Sequence, residues 1–404
     1  MKQVAVLGYG TVGSGVVEVI DTNSAVIEKR VGEKLNVKYI LDLRDFPGDP
    51  NESKVVHDVN IILDDPEVEI ICETMGGNEP AYTFSKNALL KGKSVCTSNK
   101  ELVANHGPEL LRIAKENNCN YLFEASVGGG IPVIRTINEA LTAEVIDKIT
   151  GILNGTTNYI LTKMDREGAN FDDVLKKAQE LGYAEKNPEA DIEGYDPCRK
   201  IAILSSLMTG HYVHFEDIYT EGITKITSED FKYANALNCT IKLLAMSKAE
   251  NGSYYAMVAP FLIGKETALY NVNDVFNAVF IHSNMLDDSM YYGRGAGKLA
   301  TASAVVGDVI EAAKNKGKTL PIFWDEEKVN LLGIEEVNRS FLVRVKKSES
   351  DEAAVKAVFG DVEFVKADGV EGEVAFVTPF MKEKEFDAKL SKLSGVIGRI
   401  RFDK

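Results

Sequence analysis

The chain has 404 residues, 45% of them apolar and 26% charged, a composition typical of a globular protein with room for two or three domains. Its 61 acidic and 46 basic residues give a net charge of −15, which argues against nucleic acid as a partner because phosphates would be repelled. No stretch approaches the roughly 20 apolar residues that span a bilayer, so we expect no membrane association and a cytoplasmic location.

The first predicted strand runs directly into a glycine-rich turn. Apolar residues 4–7 precede Gly8-Tyr9-Gly10-Thr11-Val12-Gly13, and residues 14–20 continue as a predicted helix. In this order, the first glycine permits a tight turn, the second admits a pyrophosphate, and the third lets the helix pack closely. The sequence therefore predicts a nicotinamide or flavin nucleotide at the helix N-terminus, although ordinary strand-to-helix turns also use such glycines.

The remainder of the first third alternates strands and helices. Strands are predicted at 37–41, 70–73, 94–97 and 121–124, and helices at 79–91 and 101–117. This alternation predicts an α/β fold with a Rossmann-type doubly wound parallel sheet in residues 1–132. After the second strand, Asp42 would suit NAD and Arg44 would suit the 2′-phosphate of NADP, so the cofactor preference is open.

Two later turns lie where ligands of such sheets bind. Lys100 ends the sequence Cys96-Thr97-Ser98-Asn99-Lys100, between a strand and a helix, and is expected at the carboxyl edge of the sheet unless it is a solvated surface lysine. Residues 124–132 include three consecutive glycines and follow another predicted strand. Such a loop can offer main-chain oxygens to a hard cation, or it can be a flexible connector between domains.

Residues 133–294 predict an inserted α+β domain. Helices are predicted at 133–143, 171–181, 197–209 and 228–249, and strands at 148–153 and 255–258. The small-residue-rich segment 295–320 predicts a returning helix that packs against the nucleotide domain. Residues 151–159, which include Gly155 and Thr156, predict either a substrate-facing turn or a plain helix cap.

Residues 182–200 are the most specific segment. Asp196 and Lys200 are four residues apart and would share one helix face, and apolar residues 201–204 indicate that Lys200 is partly buried. A buried ammonium must be paired or lose its charge, which makes Lys200 the best acid/base candidate. Asp196 before Pro197 also suits a helix N-cap. Glu185 could bind an α-ammonium group, and Asp191 could orient a lysine. Alternatively, both belong to a solvated acidic loop.

The segment 338–404 predicts a third unit. Strands near 340–345, 361–367, 371–378 and 396–400 alternate with helices near 351–358 and 382–393 in the order βαββαβ, a ferredoxin-like pattern. The five cysteines are widely spaced and include no C-x-x-C pair, so we expect reduced thiols and no metal bound by sulfur. His211 and His214 lack an evident third zinc ligand.

Taken together, these motifs resemble those of homoserine dehydrogenases. The resemblance covers residues 4 to about 310 in the order of the family, and it rests on the N-terminal glycine motif and on residues 97–100, 124–132, 151–161, 182–200 and 293–297. It implies interconversion of L-homoserine and L-aspartate 4-semialdehyde with NAD(P), on the route to threonine and methionine.

The resemblance also implies roles for individual residues. Lys200 would donate a proton to the aldehyde oxygen, and Lys100 would be a second catalytic lysine. The residues that would bind substrate are Glu185, Asp191, Asp196, Gly155 and Thr156. The residues that would bind the cofactor are Gly8, Gly10, Thr11, Val12, Gly13, Arg44, Ser98, Lys100 and Gly297. The residues matching the sodium-binding loop are Glu124, Val127, Gly129 and Ile131.

For the tail, the resemblance implies an ACT-like regulatory domain with threonine as a candidate effector, although the loop 346–351 lacks the Pro-Gly pair common in such domains. It further implies a homodimer or homotetramer assembled through residues 133–294. A non-catalytic nucleotide and amino-acid sensor is the competing reading, but a sensor needs no proton donor. A phosphorylating aldehyde dehydrogenase would need a cysteine nucleophile in a glycine-rich setting, which none of the cysteines has.

Overall fold

The computed structural model describes residues 1–403, which form two compact units. The first contains Met1–Val145, Ala202–Phe215 and Tyr291–Val329, and the second contains Ile146–Ile201, Glu216–Met290 and the chain from Asn330 onward. The five cysteines are free and buried, as the sequence predicts. Within residues 1–403, no helix has both the length and the apolar character that a membrane span requires.

The strands, in chain order, are β1 (Lys2–Leu7), β2 (Leu35–Leu41), β3 (Val55–Val56), β4 (Val68–Glu73), β5 (Ser94–Thr97), β6 (Tyr121–Leu122), β7 (Ile146–Ile152), β8 (Tyr219–Thr220), β9 (Cys239–Glu250), β10 (Ser253–Gly264), β11 (Phe276–Ser283), β12 (Asp287–Arg294), β13 (Asn338–Arg339), β14 (Phe341–Lys346), β15 (Glu363–Val365), β16 (Glu373–Val377), β17 (Met381–Lys382) and β18 (Val396–Phe402). The α-helices are α1 (Thr11–Thr22), α2 (Ser24–Val31), α3 (Val59–Leu63), α4 (Ala81–Leu90), α5 (Lys100–Glu116), α6 (Gly155–Glu167), α7 (Phe171–Glu180), α8 (Glu189–Ile192), α9 (Tyr195–Thr209), α10 (Ser228–Ala236), α11 (Lys298–Lys314), α12 (Glu352–Phe359) and α13 (Glu383–Leu390).

The first unit is built on a six-stranded sheet in the order β3-β2-β1-β4-β5-β6. Each adjacent pair is parallel, which confirms the predicted doubly wound sheet. The central strands β1, β4 and β5 are buried along most of their length, as expected where helices cover both faces of a parallel sheet. The order reverses beside β1, so the turn that follows this strand lies at the topological switch point, where such sheets bind ligands.

Helix α11 returns to this sheet late in the chain, as its small residues predict. Val305, Val306 and Val309 are buried in one apolar cluster with Val16 and Val17 of α1. A Cβ on Gly15 would lie 2.9 Å from the main-chain oxygen of Lys298. The close approach of α1 and α11 therefore depends on small residues at the contact. A short π-helical segment, Thr136–Ala140, occupies part of the helix predicted at 133–143.

The second unit contains a mostly antiparallel sheet in the order β12-β11-β7-β9-β10-β18-β14-β16-β15, with β8 also paired to β10. The prediction of one helix over 228–249 is wrong after its first half. Helix α10 ends at Ala236, Asn238 has a positive φ of 55°, and β9 then pairs with β10 along its whole length. The apolar residues of β9 are buried between neighbouring strands rather than along one helix face.

The tail has the predicted βαββαβ order, with strands arranged antiparallel as β18-β14-β16-β15. Its sheet is continuous with the rest of the second unit because β18 also pairs in parallel with β10. Buried Arg344 of β14 donates two hydrogen bonds of 2.9 Å to Glu373 and one of 2.7 Å to Asp230 near the start of α10. This arginine therefore links the tail to the preceding part of the same unit.

Candidate functional site

The predicted nucleotide turn lies between β1 and α1. Gly8 has a φ of 91°, a conformation that other residues rarely adopt, and a Cβ on Gly13 would collide with the carbonyl oxygen of Gly8. A Cβ on Gly10 would have no neighbouring atom of residues 1–403 within 4 Å. Gly10 is also the N-cap of α1. The turn thus leaves space in front of main-chain N–H groups that can bind a phosphate.

Asp42 and Arg44 lie at the end of β2, and they contact each other. Asp42 accepts hydrogen bonds of 2.9 and 3.0 Å from the Arg44 guanidinium and one of 2.8 Å from the main-chain N–H of Tyr9. The hydrogen bonds from Arg44 hold the pKa of Asp42 well below its usual range. Arg44 is 63% exposed and its guanidinium lies 5.1 Å from the ring centre of Phe46. The Arg44 guanidinium is therefore held in place at the carboxyl end of β2 while it remains open to solvent.

Lys100 is the first residue of α5, at the carboxyl end of the sheet, and it is half-buried. The cap of α5 is Asn99, whose side chain accepts from Leu102 N at 3.1 Å. Ser98 donates its main-chain N–H to the oxygen of Glu73 at 3.3 Å. The turns that follow β4 and β5 are thereby joined, which fixes the start of α5 and the backbone of Lys100.

The glycine-rich loop is buried and firmly held. Gly128 and Gly129 have φ values of 73° and 55°, and a Cβ on Gly129 would lie 2.5 Å from the oxygen of Gly295. The side-chain oxygens of Glu124 accept from Ile134 N at 2.9 Å and Arg135 N at 2.7 Å. Burial raises the pKa of Glu124. The tight packing identifies this loop as ordered backbone rather than a flexible connector.

Lys200 and Asp196 lie on one face of α9 and contact each other. The Lys200 ammonium donates to Asp196 Oδ2 at 2.7 Å and to the main-chain oxygen of Leu153 at 2.8 Å. The two side chains are only 11% and 8% exposed. A partly buried lysine paired with a carboxylate and a carbonyl oxygen keeps a fixed position, and it can present its third hydrogen to a ligand.

Asn154 connects this pair to Asp191, and sequence reasoning did not select it. Its amide nitrogen donates to Asp191 Oδ1 at 2.7 Å and to Asp196 Oδ2 at 2.8 Å. Burial and the nearby charge of Asp196 raise the pKa of Asp191. The signal in the sequence was the Asn-Gly-Thr-Thr run, in which Asn154 precedes a predicted helix as a cap. Its contacts with the two carboxylates could not be inferred from the sequence, because Asp191 lies in α8, 37 residues away.

The remaining predicted site residues differ in their exposure and contacts. Gly155 begins α6, and a Cβ there would lie 2.9 Å from the oxygen of Val275. Thr156 is buried and donates to the oxygen of Tyr183 at 2.6 Å. The Glu185 side chain is exposed. Gly297, the N-cap of α11, has a φ of 116°.

The capping role predicted for Asp196 is not observed. Helix α9 begins at Tyr195, so Asp196 and Pro197 are already in its first turn. A carboxylate in the first turn still interacts favourably with the helix dipole, while its oxygen is directed at Lys200 and Asn154.

Comparisons with known proteins agree with these observations. The family model described as homoserine dehydrogenase, NAD binding domain, matches residues 8–124, and the model described as homoserine dehydrogenase matches residues 132–310. A curated homoserine dehydrogenase from Bacillus subtilis is 41% identical over 320 residues, covering 78% of this chain and 73% of that protein.

Solved structures give the same result. A homoserine dehydrogenase from Thiobacillus denitrificans has a TM-score of 0.91 and 34% identity, covering 100% of this chain and 98% of that chain. A hyperthermophilic archaeal homoserine dehydrogenase mutant in complex with NADPH has a TM-score of 0.65 and 31% identity, covering 77% of this chain and 98% of that chain. The resemblance seen in the motifs is confirmed, and the chain belongs to the homoserine dehydrogenase family of oxidoreductases.

Proposed function

We propose that this enzyme interconverts L-homoserine and L-aspartate 4-semialdehyde with Lys200 as its proton donor. The observation that carries the proposal is the partly buried Lys200 ammonium, held by Asp196 at 2.7 Å and by the main-chain oxygen of Leu153 at 2.8 Å. Reduction of an aldehyde places negative charge on one oxygen, and a positioned ammonium stabilises that charge most effectively. The reduced nicotinamide nucleotide, when bound, supplies the hydride for the aldehyde carbon.

In this mechanism Lys200 donates a hydrogen bond to the carbonyl oxygen and then transfers its proton as the alkoxide forms. Asp196 fixes the ammonium throughout. The α-ammonium group of the substrate requires anionic partners, for which Asp191, Asp196 and Glu185 are suited. Gly155 and Thr156 shape the adjacent turn at the start of α6. Lys100 acts as a second catalytic lysine.

For the nucleotide we propose binding to the turn formed by Gly8, Gly10, Thr11, Val12 and Gly13, with Ser98, Lys100 and Gly297 as further contacts. Use of NADP is supported by the exposed guanidinium of Arg44 and by the NADPH complex of the archaeal relative. Asp42, the residue that would bind a 2′-hydroxyl, has both carboxylate oxygens engaged by Arg44.

A sodium ion in the loop containing Glu124, Val127, Gly129 and Ile131 is a further part of the proposal. The residues fit a cation through main-chain oxygens, because the loop is buried and two of its glycines have positive φ. The carboxylate of Glu124 is directed at the main-chain N–H groups of residues 134 and 135. The contribution of Glu124 would therefore come from its own carbonyl. Such an ion would help to order the site.

The domain arrangement we propose is a nucleotide-binding domain over 1–132 completed by 295–320, a substrate-binding domain over 133–294, and an ACT-like regulatory domain over 338–404. The βαββαβ order and the strand order β18-β14-β16-β15 support the ACT-like assignment. Threonine is the proposed effector, and it should inhibit turnover at millimolar concentration. An unchanged rate over that range would contradict this regulatory role.

We propose that the enzyme is a homodimer or homotetramer in the cytoplasm, on the route to threonine and methionine. The edge strand β12 and the turn before it carry exposed apolar side chains, namely Met285, Leu286, Met290 and Tyr292. Exposed apolar groups along a sheet edge favour pairing with a second copy. The five free cysteines suit a reducing compartment.

The decisive experiment for the role of Lys200 is its replacement in an assay that follows reduced nicotinamide absorbance, with homoserine and with NAD and NADP in turn. Lys200→Ala should lower kcat by about 100-fold or more and leave nucleotide binding intact. Lys148→Ala is the matched control, because Lys148 is also ion-paired in the second unit, to Asp403 at 3.2 Å. Near-normal turnover of Lys200→Ala would refute the assignment.

A further inference from the structure

Asn154 lies between β7 and α6, and both the oxygen and the nitrogen of its side-chain amide make hydrogen bonds. Its Oδ1 accepts from the main-chain N–H of Thr157 at 2.9 Å, which caps α6. Its Nδ2 donates to Asp191 at 2.7 Å and to Asp196 at 2.8 Å. The residue is only 6% exposed, so these contacts are made largely without competing water.

The capping contact alone does not require asparagine. Serine and aspartate cap helices about as well. Asparagine, in contrast, offers an acceptor oxygen and two N–H donors on one rigid group. At this position the amide oxygen accepts a hydrogen bond from the first turn of α6, and the two N–H groups donate to the two carboxylates.

The two carboxylates need such a donor. Asp191 and Asp196 both lie within hydrogen-bond distance of one amide nitrogen, so their charges repel each other. The Oδ2 atom of Asp196 that accepts from Asn154 also accepts from the Lys200 ammonium at 2.7 Å. The orientation of Asp196, and through it that of Lys200, is therefore coupled to the amide of Asn154.

We propose that Asn154 is a positioning residue whose amide nitrogen holds the Asp191 and Asp196 carboxylates so that Lys200 is directed at the substrate oxygen. This inference rests on the proposed function of Lys200. Asn154 acts through the carboxylates, so its loss should impair proton transfer and substrate binding without changing the affinity for the nucleotide.

Two substitutions separate positioning from capping. Asn154→Ser keeps a cap acceptor but replaces the two amide donors with one hydroxyl on a shorter side chain. Asn154→Asp keeps the size and the acceptor but replaces both donors with a third negative charge. We expect both to lower kcat/KM for homoserine by about 10- to 100-fold, because small displacements of a catalytic group have effects of this size. The nucleotide KM of both variants should stay close to that of the unchanged enzyme, and so should the melting temperature of Asn154→Ser. Asn154→Asp should melt at a lower temperature, because its added charge is buried beside two carboxylates.

The pH profile gives a readout that a structural role would not change. Removing a donor to a carboxylate disfavours its charged form, so the acid limb of kcat/KM should move to higher pH in Asn154→Ser. If either folded variant keeps the kcat, the homoserine KM and the pH profile of the unchanged enzyme, the inference is overturned. Failure of both variants to fold would also overturn it, by assigning Asn154 a purely structural role.

Lys200→Met, measured in parallel, separates this inference from the function on which it rests. If Lys200→Met retains turnover, the proposed role of Lys200 fails, and the positioning of that lysine by Asn154 fails with it. If Lys200→Met loses turnover while the Asn154 variants do not, the role of Lys200 stands and the inference alone fails.

Discussion

Gly10 and Gly13 belong to one turn, but the structure constrains them differently. A Cβ on Gly13 collides with the Gly8 carbonyl, whereas a Cβ on Gly10 reaches open space. We expect Gly13→Ala to lower the melting temperature because the backbone of β1 or α1 must move.

Gly10→Ala should instead fold normally and bind nucleotide at least 10-fold more weakly, because its methyl group would occupy the space left for the pyrophosphate. Calorimetric melting and nucleotide titration of both variants test this pair. Equal melting temperatures, or full nucleotide affinity in Gly10→Ala, would contradict the assignment of that space.

Lys242 of β9 is only 1% exposed, and sequence reasoning did not single it out. Its ammonium donates to the oxygen of Val272 at 2.6 Å and to the side-chain oxygens of Asn273 at 2.9 Å and Asn158 at 3.2 Å. Burial lowers the pKa of Lys242 from 10.5 to about 8. The unfolded chain therefore binds one more proton than the folded chain between about pH 8 and 10.5.

The contribution of this lysine to the free energy of unfolding should consequently rise with pH across that window, by about 3 kcal/mol at most. Denaturant titrations of the unchanged protein and of Lys242→Met at a series of pH values measure the effect. The difference between the two proteins should grow in favour of the unchanged protein from pH 7.5 to 10. Parallel profiles would rule out a titration of Lys242 in this range.

At the scale of elements, the alternation of strands and helices predicted the parallel sheet, and the four-residue spacing predicted that Asp196 and Lys200 share one helix face. The prediction failed at β9, because its apolar residues show neither the helical nor the strand periodicity. The residues of β9 follow a real helix, and only pairing with β10 distinguishes a buried strand from a buried helix. Asn154 shows the same limit in the candidate site. Its cap is local and could be predicted, but its carboxylate partners come from α8 and α9, later in the chain.

The link between α10 and β14 also belongs to this scale. Arg344 is 4% exposed and pairs with both Asp230 and Glu373. Arg344→Met would leave two carboxylates without their cation, and we expect it to lower the free energy of unfolding by about 3–5 kcal/mol. Arg112→Met is the control. Arg112 is 49% exposed in its pair with Glu116, and such pairs contribute at most about 1 kcal/mol. Similar decreases in the free energy of unfolding of the two variants would show that burial of the ion pair does not determine how much its loss destabilises the protein.

At the scale of the whole molecule, the tail is integral to the second unit rather than appended to it. Strand β18 pairs with β10 and β14, and buried Arg401 donates to Glu383 and Glu221. A chain shortened to residues 1–337 should therefore lose solubility, or melt at least about 10 °C lower, because it exposes the edge of β10 and leaves Glu221 unpaired. A shortened enzyme with unchanged melting temperature and turnover would contradict this dependence.

The position of β18 has a consequence for biosynthesis. This strand occupies the middle of its sheet, yet it is built from residues 396–402, long after β9 and β10 have left the ribosome. The edge of β10 that pairs with β18 therefore stays without this partner while more than a hundred residues are translated. Until residues 396–402 have emerged, we expect that edge to be open to chaperones and to neighbouring nascent chains.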